Sequence, residues 1–180
     1  MSNNIMNETP LPTSKNDLLK ILGDLNIAFE LHEHDPIFTV EEGAHLEQSI
    51  PGTHCRNLFL RDKKKKMFLI VAANETKIDL KKLPALINSK HLSFGSADRL
   101  WENLGIRQGS VNPFCIINDK DKNVRIILDK HMMAQERVNY HPMDNGMTMG
   151  VSPADLIQFI KGTTAHEPEI IDLTTATPDI

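Results

Sequence analysis

Leu18, Leu22 and Leu25 recur at i, i+4 and i+7, the spacing of one helical face, and Ser14 or Asn16 stands where the first turn would be capped. This helix is predicted to end near Asn26, with a short strand over residues 27–32. Thr39 and, three residues on, Glu42 make a capping-box pattern that opens a second helix through Ala44 to Leu46, before Pro51-Gly52 breaks the chain. Residues 57–61 and 67–73 are apolar through most of their length and residues 62–66 are charged, so the three read as a hairpin and its turn. Asp79 is placed to cap a short helix that Pro84 interrupts. Ser93 or Ser96 is placed to cap another that carries Leu100 and Leu104 and stops at Gly105. Residues 114–117 and 124–128 are predicted as a second hairpin around NDKDKN, and Ser152-Pro153 starts a last helix, ADLIQFIK, closed by Gly162. Helices mixed with paired strands predict an α+β sheet with helices packed on it. Phe38, Val40, Leu58, Phe94 and Ile116 are expected mostly in the core, with one or two of them also walling a pocket.

With 180 residues, 40% of them hydrophobic, the chain can bury one sizeable core, and a second domain would be cramped. The expected organisation is a disordered arm over residues 1–12, one domain over 13–173 and a tail over 174–180. No stretch approaches the roughly 20 apolar residues of a membrane span, and the N-terminal segment lacks an apolar signal core, so a cytoplasmic location is expected. Cys55 and Cys115 form no CxxC pair and read as reduced, buried thiols. The net charge of -4 hides an asymmetry: residues 1–54 carry -7, residues 163–180 carry -4, and residues 55–162 carry +7. Global charge therefore does not mark a nucleic-acid binder, but a local electropositive face in the middle of the chain remains compatible with phosphate.

Six basic residues fall within residues 55–66. Lys63, Lys64, Lys65 and Lys66 occupy the predicted hairpin turn, where ammonium groups stay hydrated; a solvated tip is the first reading and contact with RNA phosphates the second. Arg56 differs, because it starts an apolar strand immediately before Asn57, and a guanidinium there is expected to enter a pocket or pair with a carboxylate. In GIRQGSVNPF, Gly109 permits an unusual backbone angle and Pro113 fixes one. Gly109, Ser110, Val111, Asn112 and Pro113 can thus form a rigid loop with outward amides, although a plain structural turn is the commoner use of that spacing. His32 and His34 alternate on one strand face and, lacking a third ligand, read as a surface pair. There is no GxSxG and no metal motif, and neither metal nor cofactor is expected.

The segments HDPIFTVEEG, HCRNLFLRDKKKK, LSFGSADRLWENLGIRQGSVNPFCIIND and YHPMDN, in this order and spacing, resemble the YbaK-type trans-editing proteins related to the insertion domain of bacterial prolyl-tRNA synthetase. The resemblance runs from about Leu18 to Leu173 and is nearest to the prolyl-tRNA deacylases that clear alanine from mischarged tRNA. It implies a curved, mixed, partly barrel-like sheet surrounded by helices. It also implies hydrolysis of the aminoacyl ester at the 3' end of mischarged tRNA(Pro), with aminoacyl-tRNA as substrate and prolyl-tRNA synthetase as a second candidate partner. The family's GxxxP loop falls on residues 109–113, where its backbone would hold the ester, and its His-Pro falls on His141 near the pocket. The basic position before Asn-Leu falls on Arg56, beside Asn57; members usually carry lysine there, and the two side chains are not interchangeable in a tight pocket.

An aminoacyl ester is already activated, so hydrolysis needs a held carbonyl, a placed water and a stabilised oxyanion, without a protein nucleophile. On the resemblance, Arg56 would orient phosphate or polarise the ester, Asn57 would hydrogen-bond, and the loop amides would clamp the substrate. The alternative reading is a non-catalytic tRNA-binding or synthetase-associated module in which Arg56 has weakened hydrolysis. Serine, threonine and cysteine remain alternative amino acids for a deacylase.

Overall fold

The computed structural model describes residues 9–174. Helix α1 (Lys15–Asp24) is capped by Ser14, whose hydroxyl accepts from Asp17 N while the Asp17 carboxylate accepts from Ser14 N, and it buries Leu18 and Leu22. After β1 (Glu30–Glu33), the expected capping box forms between Thr39 and Glu42 and opens α2 (Val40–Ser49). The predicted first hairpin is present as β2 (Thr53–Asp62) and β3 (Met67–Ala73), in antiparallel register from Cys55↔Ala73 to Arg61↔Met67. Then follow α3 (Leu83–Ile87), β4 (Leu92–Phe94), α4 (Ala97–Leu104) capped by Ser96 and stopped by left-handed Gly105, and a 3-10 helix (Pro113–Asn118). The chain ends in β5 (Val124–Asp129), α5 (Lys130–Met133), β6 (Val138–Tyr140), β7 (Met147–Val151), α6 (Pro153–Thr163) and β8 (Glu169–Ile171).

Among the described residues the strands form one mixed sheet in the order β1-β7-β6-β2-β3-β5-β8, with β4 also on β2. Central β3 is buried on both faces, which is why it reads as a continuous apolar run without alternation. Leu69, Val71 and Ala73 enter the larger core with α1, α4 and α6, while Phe68, Ile70 and Ala72 enter a smaller one with Leu83, Ile87 and Leu173. Burial of the larger of these side chains contributes about 1.5–3 kcal/mol each, so β3 ties the two cores together.

The second predicted hairpin does not form. Residues 113–118 wind into the 3-10 helix because Pro113 fixes its first position and the Asn112 side chain accepts from Phe114 N and Cys115 N, and β5 pairs parallel with β3 instead. A short apolar run reads alike as a buried strand or a buried turn of helix. Of the expected core residues, Ile116 is buried and Leu58 packs on the smaller core, but Phe38 is 82% and Phe94 65% exposed; the side chain of Val40 lies outside the described set. Of the arm expected over residues 1–12, residues 1–8 lie outside the described residues, and Leu11 packs against the core. No described helix is long and apolar enough to cross a membrane.

Candidate active site

The sheet parts at β2. Its first residues pair with β6, parallel, at Thr53↔Val138 and His54↔Asn139, and its last pair with β4 at Leu60↔Phe94 through Asp62↔Leu92. Between those two pairings only β3 is joined to β2. A cavity of about 140 Å³ opens there, lined by Cys55 and Asn57 from β2, His54, Asn74, Asn139 to His141, Thr148 from β7, and Ile37, Leu46 and Glu47 on the side of α2. The Asn74 amide donates to the Glu47 carboxylate, tying α2 to the end of β3.

Of the residues singled out in the sequence, Asn57 and His141 line this cavity. His141 Nδ1 lies 2.7 Å from Met147 O; a carbonyl can only accept, so Nδ1 carries the proton and Nε2 keeps its lone pair. Burial is the chief cause that holds its pKa below the ordinary histidine value, which keeps the ring neutral. The ring of His34 meets it edge-on at 6.0 Å, and His34 is itself placed by Asp35 O and the Thr148 hydroxyl, so it is not the plain surface histidine expected beside His32. Asn57 Oδ1 is buried with no hydrogen-bond partner among the described residues. An orphan of this kind costs about 1–3 kcal/mol unless a bound donor satisfies it.

Arg56 neither enters this cavity nor meets a carboxylate among the described residues: Nη1 donates to Asn74 O at 2.8 Å and Nη2 to Thr76 O at 2.7 Å. Strand alternation explains the direction. Cys55 and Phe59 belong with the larger core and Leu58 and Leu60 with the smaller, so Arg56 and Asn57 point to opposite faces. Arg56 instead clamps the loop after β3. The Thr76 hydroxyl in turn donates to the buried Asp129 carboxylate at 2.5 Å, and the same carboxylate accepts from Ala73 N and His131 N.

The 109–113 loop does not line the cavity and is linked to it through Met143. Gly109 is left-handed, with φ 90°, and faces open space, as the spacing suggested. Ser110 N is bonded to Arg107 O, whereas Gly109 N and Val111 N have no acceptor among the described residues. Asn112 is buried: its amide caps the 3-10 helix and donates to Ser110 O and Met143 Sδ, and Met143 N bonds His141 O. Pro113 is buried at the first turn of that helix. Lys63, Lys64, Lys65 and Lys66 are exposed at the far tip of the β2–β3 hairpin, away from the cavity.

Among the polar lining residues, Glu47, His54, Asn74, Asn139 and Thr148 are not legible as site residues in the sequence. Asn139 is held by tertiary geometry. Its amide lies between Gly52 and Gly150, where a Cβ on either would come within 2.8 Å of it, and it donates to Pro51 O. Cys55, although in the wall, is no nucleophile, since burial pushes its thiol up to about 12.

A sequence profile of the aminoacyl-tRNA editing domain matches residues 34–159. The prolyl-tRNA editing protein ProX of Acetoanaerobium sticklandii is 38% identical over 149 residues, covering 82% of this chain and 91% of that protein. The prolyl-tRNA synthetase associated domain-containing protein 1 of Mus musculus is 37% identical over 161 residues, covering 87% and 94%. Among solved structures, a candidate trans-editing enzyme for prolyl tRNA synthetase superposes with a TM-score of 0.64 at 16% identity, covering 91% of this chain and 98% of that one, which shows the shared fold. The matched span contains the split in the sheet, the cavity beside it, Asn57, His141 and the 109–113 loop, and on that footing the chain belongs to the aminoacyl-tRNA editing domain family.

Proposed function

We propose that the protein is a trans-editing deacylase that hydrolyses the ester of mischarged tRNA(Pro), alanyl-tRNA(Pro) first. The observation that carries this reading is the cavity itself, in which a neutral imidazole of fixed tautomer and an unpartnered Asn57 Oδ1 face one small space. A volume near that which takes benzene suits the aminoacyl end of the substrate and leaves the terminal nucleoside outside. Asn57 Oδ1 accepts from the aminoacyl ammonium. His141 Nε2 accepts the proton of the attacking water or of the terminal ribose hydroxyl, and the Gly109 and Val111 amides face the carbonyl oxygen as charge builds on it. The names of the relatives, an editing protein and a synthetase-associated protein, support the substrate class and prolyl-tRNA synthetase as the second candidate partner. A cytoplasmic site of action follows from that role in translation.

The test is release of labelled amino acid from a panel of aminoacyl-tRNAs at catalytic enzyme levels. Alanyl-tRNA(Pro) is expected to be cleared fastest, with prolyl-tRNA(Pro) spared; preference for seryl, threonyl or cysteinyl forms would move the substrate within the class. Release no faster than without enzyme across the whole panel would sink the deacylase. One observation favours the second reading, a non-catalytic synthetase-associated module: Arg56, at the position where the family usually carries lysine, is engaged with backbone carbonyls.

On the deacylase reading Arg56 is a positioning residue. Arg56→Ala is expected to lower stability by about 1–3 kcal/mol, as two charge-assisted bonds are lost, and to lower the rate about tenfold because Asn74 loosens. Arg56→Lys, which keeps one donor, should recover part of both. Melting curves beside single-turnover rates decide it: an unchanged melting temperature with a rate lost in Ala and fully restored in Lys would instead mean that the charge acts on the substrate.

A further inference from the structure

Two neighbouring turns at the end of the sheet away from the cavity are built alike. In the β2–β3 turn, buried Asp62 accepts through Oδ1 from Lys64 N and Lys66 N, and Lys65 adopts a left-handed φ of 68°. In the turn before β5, buried Asp119 accepts from Asn123 N and Val124 N, and Lys122 adopts a left-handed φ of 55°. The parallel pairing Met67↔Val124 sets these turns side by side. A third loop joins them, because Asp62 Oδ2 accepts from Lys90 N and Leu92 pairs opposite Asp62. Lys63 to Lys66, Lys90, Lys120 and Lys122 are all exposed, and none is held in an ion pair among the described residues. In these loops the two other aspartates are turned inward, and Asp121 is the exposed carboxylate.

Left-handed backbone suits glycine, asparagine or aspartate and strains a lysine. Of the other non-glycine left-handed positions among the described residues, two hold asparagine, Asn26 and Asn88, and the third, Met143, is buried in the core, unlike the exposed lysines. Lysine at both left-handed positions of adjacent turns is therefore a cost without return inside the fold, and what it adds is an ammonium projected outward. Along β2 the platform lies roughly 20 Å from Asn57 at about 3.3 Å per residue, too far for the terminal nucleotide and within reach of the duplex behind it. None of the exposed large apolar side chains falls in these three loops, which removes the apolar centre that a protein interface needs and leaves point charges suited to phosphates.

We propose that this end of the sheet is a phosphate-binding platform, carried by Lys63 to Lys66, Lys90, Lys120 and Lys122, that holds the backbone of the tRNA body while its 3' end reaches the cavity. The proposal rests on the deacylase reading for the identity of the RNA, and its test does not need hydrolysis. The affinity of uncharged full-length tRNA(Pro) is measured against salt for the wild-type protein and for Lys65→Asn/Lys122→Asn, then with Lys90→Gln and Lys120→Gln added. The double variant is expected to bind about five-fold more weakly, with the log-log salt slope shallower by about two, and to melt no lower than wild type because asparagine accepts the left-handed turn. The quadruple variant should lose more, while a short single-stranded oligonucleotide ending in CCA should bind wild type and variants alike. An unchanged affinity and slope for full-length tRNA overturns the platform, and so does an equal loss for the short oligonucleotide, which would put the lysines at the cavity. Loss of binding to prolyl-tRNA synthetase with tRNA affinity intact overturns it in favour of an acidic protein partner. Lysine-dependent tRNA binding by a protein that hydrolyses no aminoacyl-tRNA leaves the platform standing and removes the deacylase.

Discussion

His141→Ala is expected to slow single-turnover release of alanine by about a hundred-fold, the scale of a lost proton acceptor, with little change in tRNA affinity. The pH profile carries a sharper expectation. The ring acts through a neutral Nε2, and burial lowers its pKa from the ordinary 6.5, so the rate should stay flat through neutral pH. It should fall only as pH drops through that depressed value. Stability shares the sign: the unfolded ring takes up a proton first, so the stabilisation is complete above 6.5 and is lost as pH falls towards the folded pKa. His141→Gln, which offers an amide without titrating, should lack both pH dependences. Wild-type rates in His141→Ala at every pH would remove the imidazole from the chemistry.

Asp129→Ala is expected to be the most destabilising change in the vicinity of the site. The carboxylate is fully buried and accepts from Ala73 N, Thr76 Oγ1 and His131 N, so its removal orphans three donors at once. A cost of about 3–5 kcal/mol follows, and a melting temperature lower by about 10 °C for a chain of this size. Asp129→Asn keeps one acceptor oxygen and should cost less. Thr76 is also one of the two carbonyl partners of Arg56, so the Ala variant should weaken the 74–76 clamp and deacylation together. A melting curve that matches wild type would show that these bonds contribute nothing net to the fold.

Local signals fixed local structure here. The capping pairs Ser14 with Asp17 and Thr39 with Glu42, the Pro153 start and the Gly105 stop are each made within a few residues, and each signals in the sequence what the chain then does. Ser14 is legible as a cap, whereas its partner Asp17 shows only in the structure. The 3-10 helix and the parallel β3–β5 pairing were not legible, because the apolar runs at 114–117 and 124–128 fit a hairpin equally well until the Asn112 cap is seen. The site shows the same division. Asn57 and His141 are identified by resemblance, but Asn139 and Thr148 join them only through the parallel pairing of residues 53–54 with 138–139 and the register of β7 on β6, and Glu47 only through its bond from Asn74. Strand alternation makes Arg56 and Asn57 opposite in direction, yet which face holds the cavity depends on those distant pairings.

The same long-range geometry makes the central claim testable at one place. Single-turnover deacylation of alanyl-tRNA(Pro) is compared for wild type and Asn57→Ala/His141→Ala, two residues 84 positions apart that share one cavity. If ester hydrolysis occurs beside the split in the sheet, wild type clears the label and the folded double variant releases it no faster than buffer. A folded double variant that hydrolyses at the wild-type rate would place the reaction elsewhere on the molecule and contradict the account.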